Sequence, residues 1–481
     1  MLAGTKWGSH PQLLLSLYRA VFRGAIEYGA VVFQFKGNKQ LFLALQRLQW
    51  KLIRNAMGYR VSTPINVILD EAKEPPLIQR FSYLIHNYLV KSFACRFNPV
   101  IDSLENVQFG TIGNTKRSKA CRAIPIFRSY LAVRNIRGTM HRSVYLPFFS
   151  YPFLSLTYQP ELIPFFLPNS DSISAEEANQ HFRNHFAPHI ADSITFYTDG
   201  SKLDTGAAGA SVYSPDLPIE ICCKLPPDVS TFTAEAWAIY ETMFIIHQLQ
   251  IPSAIIFSDC SSVLQTITSY NITHNNYIIS LIRNMYYRAV TSGSKIKVAW
   301  IPSHKGITGN ERADILAKRA ARKGRKTSCM VPYIDLYHRS KYILNRRYQT
   351  YLENAASTKG TFYHTHYHTN NVKPWYYRLP LNRAQIVTTS RLRSGHYNLN
   401  QSLFRKNIVD SPSCPCGDPY QDANHIIFNC ILTRDQTSPL HKYLQEKFLT
   451  NPTDIFPLLK NPPPKLCRLI LAFFSSSNLY I

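Results

Sequence analysis

Residues 192–326 predict an α/β fold, a mixed five-stranded sheet flanked by helices, with further mainly helical segments on both sides. Three observations lead there. A β-branched and aromatic run at 194–198 is followed by a Gly/Ala-rich strand at 207–213 and a third strand at 219–224, and strands recur at 254–258 and 296–301 between stretches of helical period. Two of these runs end in a carboxylate, Asp199 and Asp259, and open α/β sheets place their ligands at the carboxyl ends of strands. A helix opening at Glu235 and running to Leu249 puts Ile239, Thr242, Met243, Ile246 and Leu249 on the same face as that glutamate, so a charge is turned toward the sheet, where it needs a partner.

The preceding 191 residues divide in two. Residues 1–75 are helical in pattern, with Leu41, Leu45, Leu48 and Leu52 on one stripe and Arg47, Lys51 and Arg54 largely on others. Residues 76–190 read as a connector rich in proline and aromatics, opened by Glu74-Pro75-Pro76 and interrupted at Pro152, Pro160 and Pro164. No chemistry attaches to it.

Within 192–326 the order is three successive strands, the Glu235 helix, a fourth strand, helices between Ser261 and Thr291, a fifth strand and a final helix. That order implies a mixed sheet under helices. Asp314 lies in the first turns of the final helix, with Ala317 and Ala321 below it and a basic tail from Lys318 to Lys326. Residues 327–481 form a basic helical region that carries Cys414, Cys416, His425 and Cys430.

Taken singly, each acid has an ordinary explanation. Asp199-Gly200 is a plausible turn, and Asp259 a plausible cap for the segment starting at Ser261. Glu235 is not the far end of a Ser/Thr capping box, because Phe232 stands three residues before it. Together, four converging carboxylates would repel unless cations neutralise them, and two divalent ions about 4 Å apart would do so while activating water and stabilising a phosphodiester leaving group.

These residues resemble the type 1 ribonuclease H domain. The resemblance covers Thr198-Asp-Gly-Ser201, Glu235, Ser258-Asp259 and the stretch from Trp300 through Pro302-Ser303-His304 and Gly309-Asn-Glu-Arg-Ala-Asp314, the last being the most specific. It implies that Asp199, Glu235, Asp259 and Asp314 hold two Mg²⁺ ions, with Mn²⁺ able to substitute, and that His304 assists product release or proton transfer. The implied substrate is an RNA–DNA hybrid, cut by in-line attack of water to leave 3′-hydroxyl and 5′-phosphate ends. Two departures stand out. Where many members carry Asn-rich polar residues before the glutamate, this chain has Thr231, Phe232 and Thr233. The only arginines that the stretch between Asp259 and Trp300 offers a substrate are Arg283 and Arg288, among Tyr277, Tyr286 and Tyr287.

The flanks carry a second resemblance. Leu17 to Gly29, Leu45 to Arg54 and Ser62-Thr-Pro64 are similar to the region following the polymerase palm in non-LTR retrotransposon proteins, yet no Tyr-x-Asp-Asp polymerase motif occurs. A truncated product lacking the polymerase centre is expected, with a reverse transcriptase or retrotransposon RNA as partner. The spacing C-x-C-x8-H-x4-C supplies three thiolates and an imidazole, a set suited to tetrahedral zinc, and resembles the Cys/His segment that often follows ribonuclease H in such polyproteins. His396 is a competing imidazole.

Charge bounds the partners. The 481 residues carry a net charge of +25, most of it outside the nearly balanced nuclease segment, which suits a phosphate backbone. A hydrophobic fraction of 45% argues against a mainly disordered chain. Leu13 to Tyr18 is too short for a signal peptide and no run approaches the roughly 20 apolar residues of a membrane span. Ten scattered cysteines form no secreted framework, so an intracellular location, nuclear or cytoplasmic, is expected. An inactive nucleic-acid-binding remnant and another ribonuclease-H-like nuclease are the alternatives. Cleavage in Mg²⁺ separates the first, and hybrid against DNA duplex the second.

Overall fold

The computed structural model describes every residue except 1–3, 5–6, 31–38, 111–115, 143–149, 167–172 and 449–451, and the parts of the flanking segments with those numbers lie outside the described residues. The chain divides into two compact units. One comprises Met1–Ile85, Ala123–Ile126 and Tyr342–Ile481, the other His86–Arg122 and Phe127–Lys341.

The second unit contains the sheet. Its strands are β1 (Glu161–Ile163), β2 (Ile194–Lys202), β3 (Ala208–Ser214), β4 (Ile219–Leu225), β5 (Ser253–Ser258), β6 (Lys295–Trp300) and β7 (Arg325–Lys326), in the order β1-β6-β5-β2-β3-β4-β7. β2, β3 and β4 pair antiparallel, whereas β5 and β6 continue the sheet parallel to β2. The five expected strands form its centre, and two short edge strands extend it to seven. β1 comes from the proline-rich connector, and both edge strands pair parallel to their neighbours.

Helices cover both faces. They are α1 (Ala175–Ile190), α2 (Thr231–Gln248), α3 (Ser261–Ile267), α4 (Tyr277–Thr291) and α5 (Thr308–Lys323). α1 begins at a capping box of Ser174 and Glu177 and buries Phe182 and Phe186 against Tyr197 and Phe257. Tyr197 and Asp199 alternate to the same face of β2, so this aromatic cluster lies beneath the carboxylate.

Glycines set how closely the other helices approach. A Cβ on Gly200 would stand 2.3 Å from the Glu235 nitrogen, and one on Gly209 2.3 Å from the Ala321 nitrogen. Hence α2 lies directly on one face of the central strands and α5 on the other. α2 begins at Thr231, four residues before the expected start, because the Ser230 hydroxyl accepts from the Thr233 N–H and both Ser230 backbone and hydroxyl donate to Asp335. Leu249, expected on the buried face, closes this helix as its C-cap and is 58% exposed.

In the first unit, N-terminal and C-terminal segments share their cores. Leu15, Tyr18, Ile53, Met57 and Ile68 pack with Tyr376, Ile386 and Cys467, while Val67 joins the C-terminal cluster around Leu392, Ile426 and Phe473. The helix Lys39–Met57 buries Gln49, Ile53, Ala56 and Met57, whereas Leu41 and Leu48 of the expected stripe are 49% and 42% exposed. Gln49 is accommodated because its amide donates to the Tyr18 hydroxyl and the Pro75 carbonyl. The helix Arg383–Ser394 is buried along its length, and its arginines serve structure: Arg383 donates to the carbonyls of Gly4, Asn55 and Ala56, and Arg391 to those of Gly58 and Ile481. Part of the basic excess is thereby committed inside the protein.

Candidate active site

The site follows from register. Thr198 of β2 stands beside Ser258 of β5 in the parallel pair, so Asp199 and Asp259, each one residue further on, are neighbours. Asp259 follows the end of β5, but Asp199, expected at a strand end, lies inside β2 because pairing with β3 carries that strand to Lys202. Asp199 also sits opposite Ser211 of β3, whose hydroxyl donates to the Ala313 carbonyl of α5 at 2.7 Å. Glu235, in the second turn of α2, completes a group: Asp199, Glu235 and Asp259 can bring carboxylate oxygens within 4.8 Å of one another.

Asp314 falls in an adjacent group. It lies with His304 and Glu311, their ligand atoms also within 4.8 Å of one another, and Lys318 one turn along α5 holds its carboxylate at 2.6 Å. Thus the structure gathers three of the four expected acids closely and sets the fourth beside the expected histidine. His304 is exposed and left-handed (φ 53°), followed by Gly306 at φ 71°. That loop is anchored rather than its histidine, since Gly306 donates its N–H to Glu311 and accepts from the Asn179 amide of α1.

Burial and mutual repulsion dominate the electrostatics. Burial first, then the charges of Asp259 and Asp314, push Asp199 up to about 7. Burial and Asp199 raise Glu235 well above the usual carboxylate range, and one of its oxygens, Oε2, is buried without a hydrogen-bond partner. Asp259 is raised by burial, opposed by a hydrogen bond from the Asn310 amide at 3.3 Å and by His304. The Trp300 indole pins the Asp259 backbone by donating to its carbonyl at 3.0 Å. Three desolvated carboxylates with an unpaired oxygen fit divalent cations, which would neutralise them and take up the free acceptor.

Sequence reasoning passed over Asn310 and Glu311. Both lie inside the Gly-Asn-Glu-Arg-Ala-Asp stretch, one helical turn before Asp314, and that spacing was the available signal. Arg283 requires a correction. It is 1% exposed, and its guanidinium donates to the carbonyls of Leu156, Thr266, Ser269 and Asn271, so it ties the end of α3 to α4 and offers nothing to a substrate. Arg288 is exposed. Of the three positions before the glutamate, Thr231 is exposed, Phe232 stacks on His274 with centroids 5.8 Å apart, and Thr233 is buried, accepting from the Asn276 amide.

The first unit contains a second cluster. Cys414, Cys416, His425 and Cys430 bring ligand atoms within 4.8 Å of one another. The Sγ atoms of Cys414 and Cys430 are 3.8 Å apart and Cys416 Sγ lies 3.2 Å from His425 Nε2. A tetrahedron with zinc–sulfur bonds of about 2.3 Å has edges of about 3.8 Å, so the spacing suits that ion. His425 turns its other nitrogen, Nδ1, to Asp418 Oδ2 at 3.2 Å, the outer partner that fixes a ligating imidazole. His396 is not in the cluster; it is half-buried beside Ser62, and burial first, then neighbouring cations, lower it to about 3.

Residues 191–322 match the RNase H family model. The chain is 26% identical to ribonuclease H1 of Mus musculus over 149 residues, 28% of this chain and 52% of the mouse protein. The values for the Rattus norvegicus protein are the same, and ribonuclease H1 of Homo sapiens is 25% identical over 164 residues, 31% of this chain and 57% of its own length. The chain spans about half the length of the curated relatives it matches. It therefore carries an RNase H domain, and the mixed sheet with its helices is the expected ribonuclease-H-like fold. Among the described residues no helix is long and apolar enough to cross a membrane.

Proposed function

We propose that this chain is a metal-dependent endoribonuclease that cleaves the RNA strand of RNA–DNA hybrids. The observation that carries the proposal is the cluster of Asp199 on β2, Glu235 on α2 and Asp259 just past β5, with the Asp314–His304–Glu311 group beside it. Asp199, Glu235, Asp259 and Asp314 are the residues to hold Mg²⁺, or Mn²⁺ in its place. Bound divalent cations would supply the charge that the cluster lacks and Lewis-acid polarisation of the scissile phosphate.

The protein's own part is positioning. Asn310 and Trp300 orient Asp259, and the Gly200 approach fixes Glu235 against β2. Lys318 holds the Asp314 carboxylate in a direct ion pair. His304, carried on an exposed loop, delivers a proton to the departing 3′ oxygen or escorts the product strand.

The Cys414, Cys416, His425 and Cys430 cluster is read as a structural zinc site, supported by its edge lengths and by Asp418. Retrotransposon ancestry rests on the sequence similarity of residues 17–64 and of the Cys/His segment, and makes a reverse transcriptase or retrotransposon RNA the natural partner.

The test is a labelled hybrid, with a DNA duplex of the same sequence as control, incubated with the full chain in Mg²⁺. The RNA strand of the hybrid alone should be cut. Asp259→Asn should reduce cleavage to background while hybrid affinity changes by less than about threefold, because an amide weakens cation binding without removing the fold. Cleavage by the variant at the parent rate, or cutting of the DNA duplex, overturns the reading.

A further inference from the structure

The first unit holds a polar cavity that the nuclease reading does not use. Its volume is about 340 Å³, and Glu71, Tyr367, Lys373, Trp375, Tyr377 and Lys460 are among the residues lining it. Three features of this cavity point to one class of ligand.

The first is an unsatisfied carboxylate oxygen. Glu71 is 1% exposed, and its Oε1 accepts from Arg393 Nε at 2.8 Å, whereas Oε2 is buried with no hydrogen-bond partner. A buried acceptor left unpaired costs about 1–3 kcal/mol, so a ligand that fills the cavity gains by presenting an N–H there. Arg393 is not available for other work. It donates to Glu71 and to the Leu459 and Lys460 carbonyls, and its guanidinium lies over the rings of Tyr367 and Trp375, 4.5 and 5.4 Å from their centroids.

The second feature is positive charge that no carboxylate neutralises. The acids around the cavity already have partners: Glu71 has Arg393, and Asp70 has Lys73 and His368. Lys373 and Lys460 are exposed, and among the described residues neither has a carboxylate partner. The third is flat apolar surface. Tyr377 and Trp375 are only partly buried, and Tyr377 has Lys373 and Arg378 at 4.8 and 5.3 Å from its ring.

We propose that this cavity binds an unstacked nucleobase bearing an exocyclic amino group, within a single strand of nucleic acid. The amino group donates to Glu71 Oε2, the ring stacks on Tyr377 or Trp375, and Lys373 and Lys460 meet the flanking phosphates. Single-strand readers combine stacking platforms with cations in this way. Thymine and uracil present carbonyl oxygens on both sides of their one N–H, and a carboxylate repels those, so amino-bearing bases are preferred. The chain's net charge of +25 favours a polyanion over a free nucleotide.

The experiment measures fluorescence anisotropy of labelled dC12 and dT12 with the full chain, without added divalent metal, across a salt series. Unlabelled CMP serves as competitor. dC12 should bind about tenfold more tightly than dT12, and CMP should compete only weakly. Lys373→Ala with Lys460→Ala should weaken dC12 about tenfold and lower the salt slope by about 1.4, the value for two phosphate contacts on a single strand. Tyr377→Ala should also cost about tenfold through lost stacking. Glu71→Gln should erase the preference for dC12, because its amide N–H can serve a carbonyl. The Lys373, Lys460 and Tyr377 variants alter side chains at the cavity mouth and leave the Glu71–Arg393 pair in place, so they test the site even if Glu71→Gln unfolds the unit. Equal binding of dC12 and dT12, or an unchanged dC12 affinity in the lysine and tyrosine variants, overturns the proposal. CMP competing as well as the oligonucleotide overturns its single-strand part.

Discussion

Replacing Asp199 by Asn should stabilise the metal-free protein even as it removes hydrolysis. In the folded chain, burial and the Asp259 and Asp314 charges push this carboxyl from 3.8 to about 7. At about 1.4 kcal/mol per pH unit, ionising it in place works against folding by up to roughly 4 kcal/mol. The sign follows from proton linkage. Between about pH 4 and 7 the folded chain holds a proton that the unfolded chain has released, so the stabilising contribution is complete below the unfolded pKa and is lost as pH rises through 7. Asn removes the charge but leaves a buried amide beside Glu235 and Asp259, so about half of that figure, ~2 kcal/mol, is the expected gain at pH 8. For a unit of this size that is about 4–8 °C in melting temperature. The assay is thermal unfolding of both proteins in chelator-free, metal-free buffer at pH 4.5 and pH 8, then with Mg²⁺ at pH 8. The variant should melt higher at pH 8 and level with the parent at pH 4.5, and Mg²⁺ should raise the parent more than the variant. A variant that melts lower at pH 8, or a gain that is equally large at pH 4.5, refutes the argument.

His304→Ala should slow multiple-turnover cleavage by about a hundredfold without abolishing it, the size expected of a proton-transfer group, and unchanged turnover would remove His304 from the reaction. Arg283→Met should destabilise the nuclease unit by about 3 kcal/mol while leaving hybrid affinity in the folded fraction unchanged, since it strands buried carbonyls of Thr266, Ser269 and Asn271. Weakened hybrid binding at full stability would restore Arg283 as a contact residue. The Cys/His cluster should hold about one zinc per chain, and chelation should speed hydrogen exchange around residues 414–430 without melting residues 192–326. Zinc content unchanged in a Cys416→Ala, Cys430→Ala double variant would exclude those ligands.

The strands of 192–326 were legible because their β-branched and aromatic runs stand out from the helical stretches between them; Asp259 does follow the end of its strand, whereas Asp199 lies inside β2, which pairing with β3 carries on to Lys202. The same reading misjudged features that depend on partners distant in sequence. The leucine stripe at 41–52 is only half covered: Leu45 and Leu52 pack against the core while Leu41 and Leu48 stay exposed, and the helix buries Gln49, whose amide donates to Tyr18 and Pro75. Arg283 looked like a surface cation until the carbonyls at the end of α3 were seen to enclose it. Asn310 and Glu311 stood in the quoted motif, but only the packing of α5 across β2 and β3 brings one to Asp259 and the other to His304 and Asp314.

By itself the sequence determined the α/β class of residues 192–326 and singled out the acids and the Cys414, Cys416, His425 and Cys430 set that the structure gathers, because local period and residue chemistry carry that information. Tertiary structure alone decided that three acids converge while Asp314 lies with His304, that Glu235 keeps an unpaired oxygen, and that segments nearly 400 residues apart share one core around buried arginines. The reason is physical. Desolvation, pairing of charges and satisfaction of buried carbonyls are properties of neighbours in space, and no local pattern of residues encodes which neighbours those will be.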